Sequence, residues 1–261
     1  MTETHLERTL RCAPGFRIRG VLGKGGMGLV YDAVHDDTGA SCALKVVRAG
    51  PRGMERFHRE VRSLVEIRHP NVVDLWAWGS DDAIGWLAME RAEGTVMDRV
   101  RDGGPLPARI ALRIAMSAAR AARAIHAAGY VHRDLKLSNL LIFGSVVKVA
   151  DFGVVRCDDS SFTKEGTRIG SRGFMAPEQA LSATTVGPEA DVYALGACTY
   201  AMLTGKSPVG LERLESDHPR WLRVEHGPLR RLLHACLRPS PGARPRLSSF
   251  LAGIGASVRA A

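Results

Sequence analysis

The sequence predicts an α+β fold in two unequal lobes: a five-stranded sheet with one main helix, followed by a larger, mostly helical part. Three observations point there. Short apolar runs flank a glycine-rich turn between Phe16 and Val34, and Met54 to Arg68 carries apolar side chains at near-helical spacing. The stretch from Ala108 to Ala128 is alanine-rich, without internal proline or glycine. At 261 residues the chain can bury a large core and suits one unit of two lobes better than two independent domains. The expected divisions are a tail over 1–14, a first lobe over 15–91, a second over 92–256 and a tail over 257–261.

Each element has a local reason. Ala13-Pro14-Gly15 closes the polar start, and Phe16 to Leu22 and Leu29 to Val34 read as strands joined by the glycine loop. Ser41 to Val47 gives a third strand. In Met54 to Arg68, Phe57, Val61, Leu64, Val65 and Ile67 fall at helical spacing with charges between them. Val72 to Leu75 and Ile84 to Met89 complete five strands, and Glu90 to Gly94 reads as a hinge. Beyond it, the long helix from Ala108 should stop at Gly129, a residue suited to a helix C-terminus. Glu189 to Leu203 supplies a mostly apolar helix, and Leu229 to Leu237 and Leu247 to Ile254 two amphipathic ones.

Composition narrows the class. No uninterrupted apolar run approaches the roughly 20 residues needed to span a bilayer, and Met1 to His5 lacks a secretory signal's basic and apolar regions, so a soluble cytoplasmic protein is expected. The five cysteines, Cys12, Cys42, Cys157, Cys198 and Cys236, show no C-x-x-C spacing, which indicates neither a disulfide framework nor a zinc site. The net charge of +9 is spread over dispersed arginines; Arg120, Arg123 and Arg230-Arg231 read as solvated helix faces, and no specific nucleic-acid partner is expected.

The chemistry is concentrated in His132-Arg133-Asp134-Leu135-Lys136-Leu137-Ser138-Asn139 and, after a short apolar hairpin, Asp151-Phe152-Gly153. Two neighbouring loops thus supply a carboxylate able to take a hydroxyl proton, a lysine, and two oxygen ligands for Mg²⁺. Upstream stand Gly23-Lys24-Gly25-Gly26-Met27-Gly28-Leu29-Val30 and Cys42-Ala43-Leu44-Lys45; downstream stands Ala176-Pro177-Glu178. In these residues, and in their order, the chain resembles the protein kinases, most closely the bacterial members of the eukaryotic-type serine/threonine group.

That resemblance implies the two-lobed protein kinase fold, ATP as phosphoryl donor and Mg²⁺ as its metal, with Mn²⁺ as the alternative. Asp134 is the implied base; Asn139 and Asp151 are the implied metal ligands; Lys136 neutralises charge on the transferring phosphoryl group. Lys45 contacts the α and β phosphates and Glu60 orients it. Gly23, Gly25 and Gly28 let backbone amides approach the phosphates. Around the adenine, Val30 and Ala43 lie above the ring, Leu141 below it and Met89 behind it, the backbone at Glu90 and Ala92 reads its edge, and Leu22 is a further implied nucleotide-binding residue. Leu64, Leu75, His132 and Phe152 match a stack linking the lobes. Asp191 matches an aspartate that anchors the catalytic loop, and Glu178 and Arg244 a structural ion pair.

The implied substrates are serine and threonine hydroxyls of proteins, because Lys136 follows the catalytic aspartate by two and Ser171 stands where a threonine hydroxyl bridges the two. Arg133 implies a basic pocket that awaits a phosphate on the segment between Asp151 and Glu178, with Thr167 the first candidate and Thr163 the second, and self-association for phosphorylation in trans. Leu137, Phe174 and Val209 depart from the usual proline, tyrosine and aromatic residue, and Lys206 to Gly227 resembles the family poorly, leaving its substrate-docking helix open. Two other readings stand beside this one. A small-molecule phosphotransferase would share the Asp134–Asn139 core but not Ala176-Pro177-Glu178, and a catalytically dead scaffold would be expected to lose Lys45, Asp134 or Asp151.

Overall fold

Period-two alternation builds the first sheet. The computed structural model describes residues 13–25, 28–48, 50–81, 84–151, 173–180 and 186–260, apart from the side chains of Pro51, Arg52, Arg56, Glu60 and Ser63. Strands β1 (Phe16–Gly25), β2 (Gly28–His35), β3 (Ser41–Arg48), β4 (Leu75–Ser80) and β5 (Ile84–Glu90) form an antiparallel sheet in the order β1-β2-β3-β5-β4. One face carries Phe16, Tyr31, Ala33, Cys42, Leu44, Val46, Ile84, Trp86 and Ala88, which pack into a core with Ala13. Helix α1 (Pro51–Glu66) covers the other face: a side-chain carbon on Gly85 would lie 2.7 Å from the Phe57 ring, so glycine is what lets the helix approach.

Two units divide the chain, one of Met1–Arg68 with Val73–Ala92, the other of His69–Val72 with Glu93–Ala261. The second opens with β6 (Gly94–Thr95), which pairs with β7 (Leu140–Phe143), itself paired with β8 (Val146–Val149). Helix α2 (Val96–Gly103) starts in a capping box, where the Thr95 hydroxyl accepts from Asp98 N–H and the Asp98 carboxylate accepts from Thr95 N–H. Helix α3 (Ala108–Ala127) ends ahead of Gly129 at φ 84°, as its composition predicts. It packs against α4 (Glu189–Thr204) and α7 (Leu247–Ala260), and α4 packs in turn against α6 (Gly227–Cys236). Small side chains make this approach close: Ala111, Ala115, Ala118, Ala119, Ala121 and Ala122 are all buried.

Three sequence expectations are corrected. The fourth strand is Leu75–Ser80, not Val72 to Leu75; Val72 is buried and bridges Val149 in the second unit, while β4 exposes Trp76 and Trp78 and leaves Leu75, Ala77 and Gly79 half-buried. The last helix continues through Ala260, so 257–260 is no tail. There Ser257 is buried and donates its hydroxyl to the Gly253 carbonyl at 3.0 Å, and Gly253 serves close packing, since a side-chain carbon there would lie 2.6 Å from Leu232 Cδ2. At the other end Ala13, assigned to the N-terminal tail, is buried in the sheet core. Between Lys206 and Gly227 lie a 3₁₀ turn at Leu211–Arg213 and helix α5 (Pro219–Leu222), whose Trp221 is fully buried.

Gly196, inside α4, gives a test of this packing. Alanine is the better helix former by about 1 kcal/mol, but a side-chain carbon here would lie 2.6 Å from Cys236 Cβ and 2.8 Å from Leu237 Cδ1. Overpacking should win, and Gly196→Ala should lower stability by roughly 1–3 kcal/mol in urea unfolding with the m-value unchanged.

Candidate active site

In the first unit the glycine motif is the end of a hairpin. β1 and β2 pair up to Gly23↔Val30 and Gly25↔Gly28, and Gly26 and Met27 lie outside the described residues. Any side chain at Gly28 would run into the Val46 carbonyl, so that position demands glycine. Leu22 falls in an irregularity between Val21 and Gly23 and is 45% exposed.

Sheet register then places four of the expected nucleotide residues on one face. Val30 stands opposite Lys45, Ala43 opposite Met89, and Lys45 opposite Leu87. The face is the one α1 covers. Lys45 is 7% exposed, an unusual burial for a lysine. Glu60 lies on α1, three residues after Phe57, with its side chain outside the described residues. At the end of β5 the Glu90 N–H donates to the Asp74 carbonyl (3.2 Å), and its Oε1 accepts from the Asp74 N–H (2.7 Å); Ala92 follows two residues later. An Arg91–Asp32 ion pair at 2.8 Å ties this end to β2, a contact nothing in the local sequence announces.

In the second unit the catalytic loop hangs on one carboxylate. Asp191, fully buried in the first turn of α4, accepts from the backbone N–H of His132 (2.9 Å) and of Arg133 (2.8 Å) and from His126 Nε2 (2.7 Å). Arg133 sits at φ 63°, a conformation costing a non-glycine residue energy that these bonds offset. Its carbonyl accepts from Gln179 Nε2 at 2.7 Å, and its Nη2 donates to the Val186 carbonyl at 3.2 Å.

Beyond this anchor the chemical groups converge. Lys136 Nζ lies 3.0 Å from Asp134 Oδ2, and Asn139 Nδ2 donates to the Asp134 carbonyl (2.9 Å) and, at 3.3 Å, to its Oδ2. The Asn139 carbonyl accepts from Ala150 N–H at 2.9 Å, which brings the end of β8 and the adjoining Asp151 beside the loop. Asp151 is exposed at φ 57°. Leu141, on β7, follows Asn139 by two. Ser171 and Phe152 lie outside the described residues, as do Thr163 and Thr167.

The two metal candidates suit a hard cation. Asn139 and Asp151 offer one amide and one carboxylate oxygen, the donor type Mg²⁺ prefers, and Mg²⁺ characteristically takes few protein ligands and completes its shell with phosphate and water. Among the described residues no cluster of three His, Cys, Asp or Glu side chains gathers that would suit a softer metal.

Residues 16–252 match the protein kinase domain. This chain belongs to the protein kinase family. Its domain is 32% identical over 265 residues to serine/threonine-protein kinase PknA of Mycobacterium tuberculosis, covering 94% of this chain and 61% of that protein. It is 36% identical over 219 residues to serine/threonine-protein kinase Pkn1 of Myxococcus xanthus (80% and 31% covered) and 34% over 205 residues to PknB of Mycobacterium leprae (74% and 33%). The chain therefore spans about three-fifths of the first of these relatives and about a third of the other two.

Within this kinase domain the expected Glu178–Arg244 pair is present as a fork, with distances of 2.6 and 2.7 Å. The remaining guanidinium hydrogens go to the carbonyls of Arg238, Pro239 and Glu189 at 2.8–3.0 Å, so every donor of this buried arginine is used. Sequence reasoning found the pair but not those carbonyls, nor His126 and Gln179. An i,i+6 spacing from His126 to His132 was the one available signal, and it is too common to single out.

His132 is fully buried between two commitments: Nδ1 accepts from Asp134 N–H at 3.2 Å, and Nε2–H donates to the Ala150 carbonyl at 3.1 Å. Only the neutral tautomer satisfies both. Burial holds the imidazole below its ordinary range, and the opposing pull of Asp191, Asp134, the Ala150 bond and Asp151 is smaller. In the unfolded chain this histidine takes up a proton near pH 6.5, whereas the folded form stays neutral to lower pH. Its contribution to stability is therefore present above about pH 6.5 and lost as pH falls toward the depressed folded value, by up to about 1.4 kcal/mol per pH unit. Nitrogen chemical shifts should show His132 as neutral Nε2–H at pH 6.5 while global stability is already falling below that pH; a titration midpoint at or above 6.5 would contradict the assignment.

Proposed function

We propose that this domain is an active serine/threonine protein kinase that transfers the γ-phosphoryl group of ATP to hydroxyls of protein substrates. The observation that carries the reading is the grouping of Lys136 and Asn139, each within hydrogen-bond reach of Asp134, on a loop whose backbone is tied to Asp191. In this reading Asp134 orients the acceptor hydroxyl and takes its proton as oxygen attacks phosphorus and ADP leaves. Lys136, already beside Asp134, offsets negative charge on the transferring group. Bound at Asn139 and Asp151, a divalent cation, Mg²⁺ or alternatively Mn²⁺, would neutralise the phosphates and hold them in line.

Lys45 takes the α and β phosphates and pairs with Glu60, a role supported by its burial on the sheet face that α1 covers. Gly23, Gly25 and Gly28 admit the phosphates to the hairpin backbone. Leu22, Val30, Ala43 and Met89 of the first unit are assigned to the base, as is Leu141 of the second by the family pattern, and since the Glu90 amide is committed to Asp74, the adenine edge falls to the Glu90 carbonyl and to Ala92. Ser171 bridges Asp134 and Lys136. The first and second units act as the two lobes, and the domain works where ATP is supplied, in the cytoplasm. Among the described residues no helix is long and apolar enough to cross a membrane.

Incubation with labelled ATP and Mg²⁺, with and without generic acceptor proteins, tests the reading: label should appear on serine and threonine. Label confined to small molecules, or none at all, would replace it with one of the two other readings. Asp134→Asn should fold and bind ATP as the wild type does yet lose on the order of 10²-fold or more in transfer rate, measured on a clean preparation.

Activation by phosphorylation in trans, between two copies of the domain, belongs to the same proposal. A phosphate on Thr167, or failing that Thr163, adds about −1.5 to −2 charges within reach of Arg133. Mass spectrometry of active protein should find it, and the Thr163→Ala/Thr167→Ala double variant should lose most activity. Full activity in that variant leaves the kinase reading standing and removes the switch.

A further inference from the structure

The fold turns dispersed arginines into a line. Between Ala111 and His126 every exposed position of α3 is an arginine: Arg113, Arg120 and Arg123. Arg109 in the first turn joins them, and at 3.6 residues per turn and 1.5 Å rise the four occupy an arc of about 80° and a length of about 21 Å. The widest gap, between Arg113 and Arg120, is occupied by Met116. A side-chain carbon built on Gly255 of α7 would lie 3.5 Å from Met116 Cε and 3.7 Å from Arg259 Nη1, so the exposed Arg259 borders that gap.

Nothing among the described residues neutralises the line. Neither α3 nor α7 contains an acidic residue, and among the described residues these five arginines form no ion pair or hydrogen bond. The arrangement also works against the helix that carries it. Arg109 and Arg113 are like charges four apart, Arg120 and Arg123 like charges three apart, and Arg109 stands in a first turn where the helix dipole favours an acid. The field reaches the neighbouring His69, whose imidazole is held below its ordinary range first by burial and then by Arg123 and Arg120. Stability does not explain such a surface; a complementary anion does.

We propose that this face of α3 docks an acidic polypeptide segment of a protein partner, whose carboxylates pair with Arg109, Arg113, Arg120 and Arg123. A line one side chain wide matches a linear chain of charge better than a two-dimensional lipid surface. No aromatic side chain stands in the arc to stack a nucleic-acid base or anchor in a bilayer interface. Forked guanidinium–carboxylate pairs give the contact direction as well as charge. The docking does not depend on the phosphoryl-transfer reading, because it concerns binding alone.

Fluorescence anisotropy with a labelled oligo-glutamate peptide tests it on the whole chain. The peptide should bind, weaken as salt is added, and weaken roughly tenfold or more in the Arg113→Gln/Arg120→Gln/Arg123→Gln variant. A control with Arg223, Arg231 and Arg246 changed to Gln lowers net charge equally and should keep wild-type binding. A triple Arg→Lys variant at 113, 120 and 123 preserves the line of charge and should bind within a few fold of wild type. No binding to wild type, equal binding by the Gln variant, or equal loss in the control would each overturn the proposal. So would tighter binding of a single-stranded oligonucleotide or of phosphatidylserine vesicles that is lost in the same variant, which would reassign the face to that class.

Discussion

The structure of the catalytic loop depends on the buried carboxylate of Asp191. A loop that turns through φ 63° at Arg133 exposes backbone N–H groups that no helix or sheet satisfies, and leaving them unpaired in the interior would cost about 1–3 kcal/mol each. Asp191 collects two of them and adds the side chain of His126, so the charge and the loop solve each other's problem. Its place in the first turn of α4 helps, since the helix dipole favours an anion there. The positions of Asp134, Lys136 and Asn139 follow from the direction in which this anchor sends the chain.

A second buried ion, Arg244, obeys the same accounting by another route. It offers five donors in a fixed fork, and the Glu178 carboxylate with three carbonyls uses all of them, while its guanidinium lies 5.1 Å from the centre of the Tyr193 ring. Removing one partner of such a pair typically costs about 3–5 kcal/mol, because the other stays buried and charged. Both anchors meet at α4, where Gly196 packs against Cys236 and Leu237, and desolvation pushes the Cys198 and Cys236 thiols well above their ordinary range, which keeps them unreactive packing groups.

The first unit achieves rigidity by alternation instead. Its sheet commits one face to an aromatic and aliphatic core and leaves the other to α1 and the residues proposed to bind nucleotide, so a single register sets Val30, Ala43, Lys45 and Met89 side by side. A shift by one residue would exchange the faces and send Lys45 into the apolar core. Glycines at 28, 79 and 85 mark where backbone, Trp86 and Phe57 come too close for any side chain.

What the sequence determined by itself was whatever is encoded within a few neighbours. Strands read from short apolar runs around the glycine loop, α3 from its alanines and Gly129, and Asp134, Lys136, Asn139 and Asp151 as candidates from contiguous motifs. Tertiary structure decided the rest. It chose Leu75–Ser80 over the more apolar Val72 run, because Val72 is claimed by Val149, and it kept α7 helical past Gly253, where glycine serves close packing against Leu232. It chose His126, Gln179 and three carbonyls as partners for groups up to 65 residues away. Local patterns specify dihedral angles and burial period; which distant donor meets which acceptor is settled only when packed helices fix directions that no short stretch of chain contains.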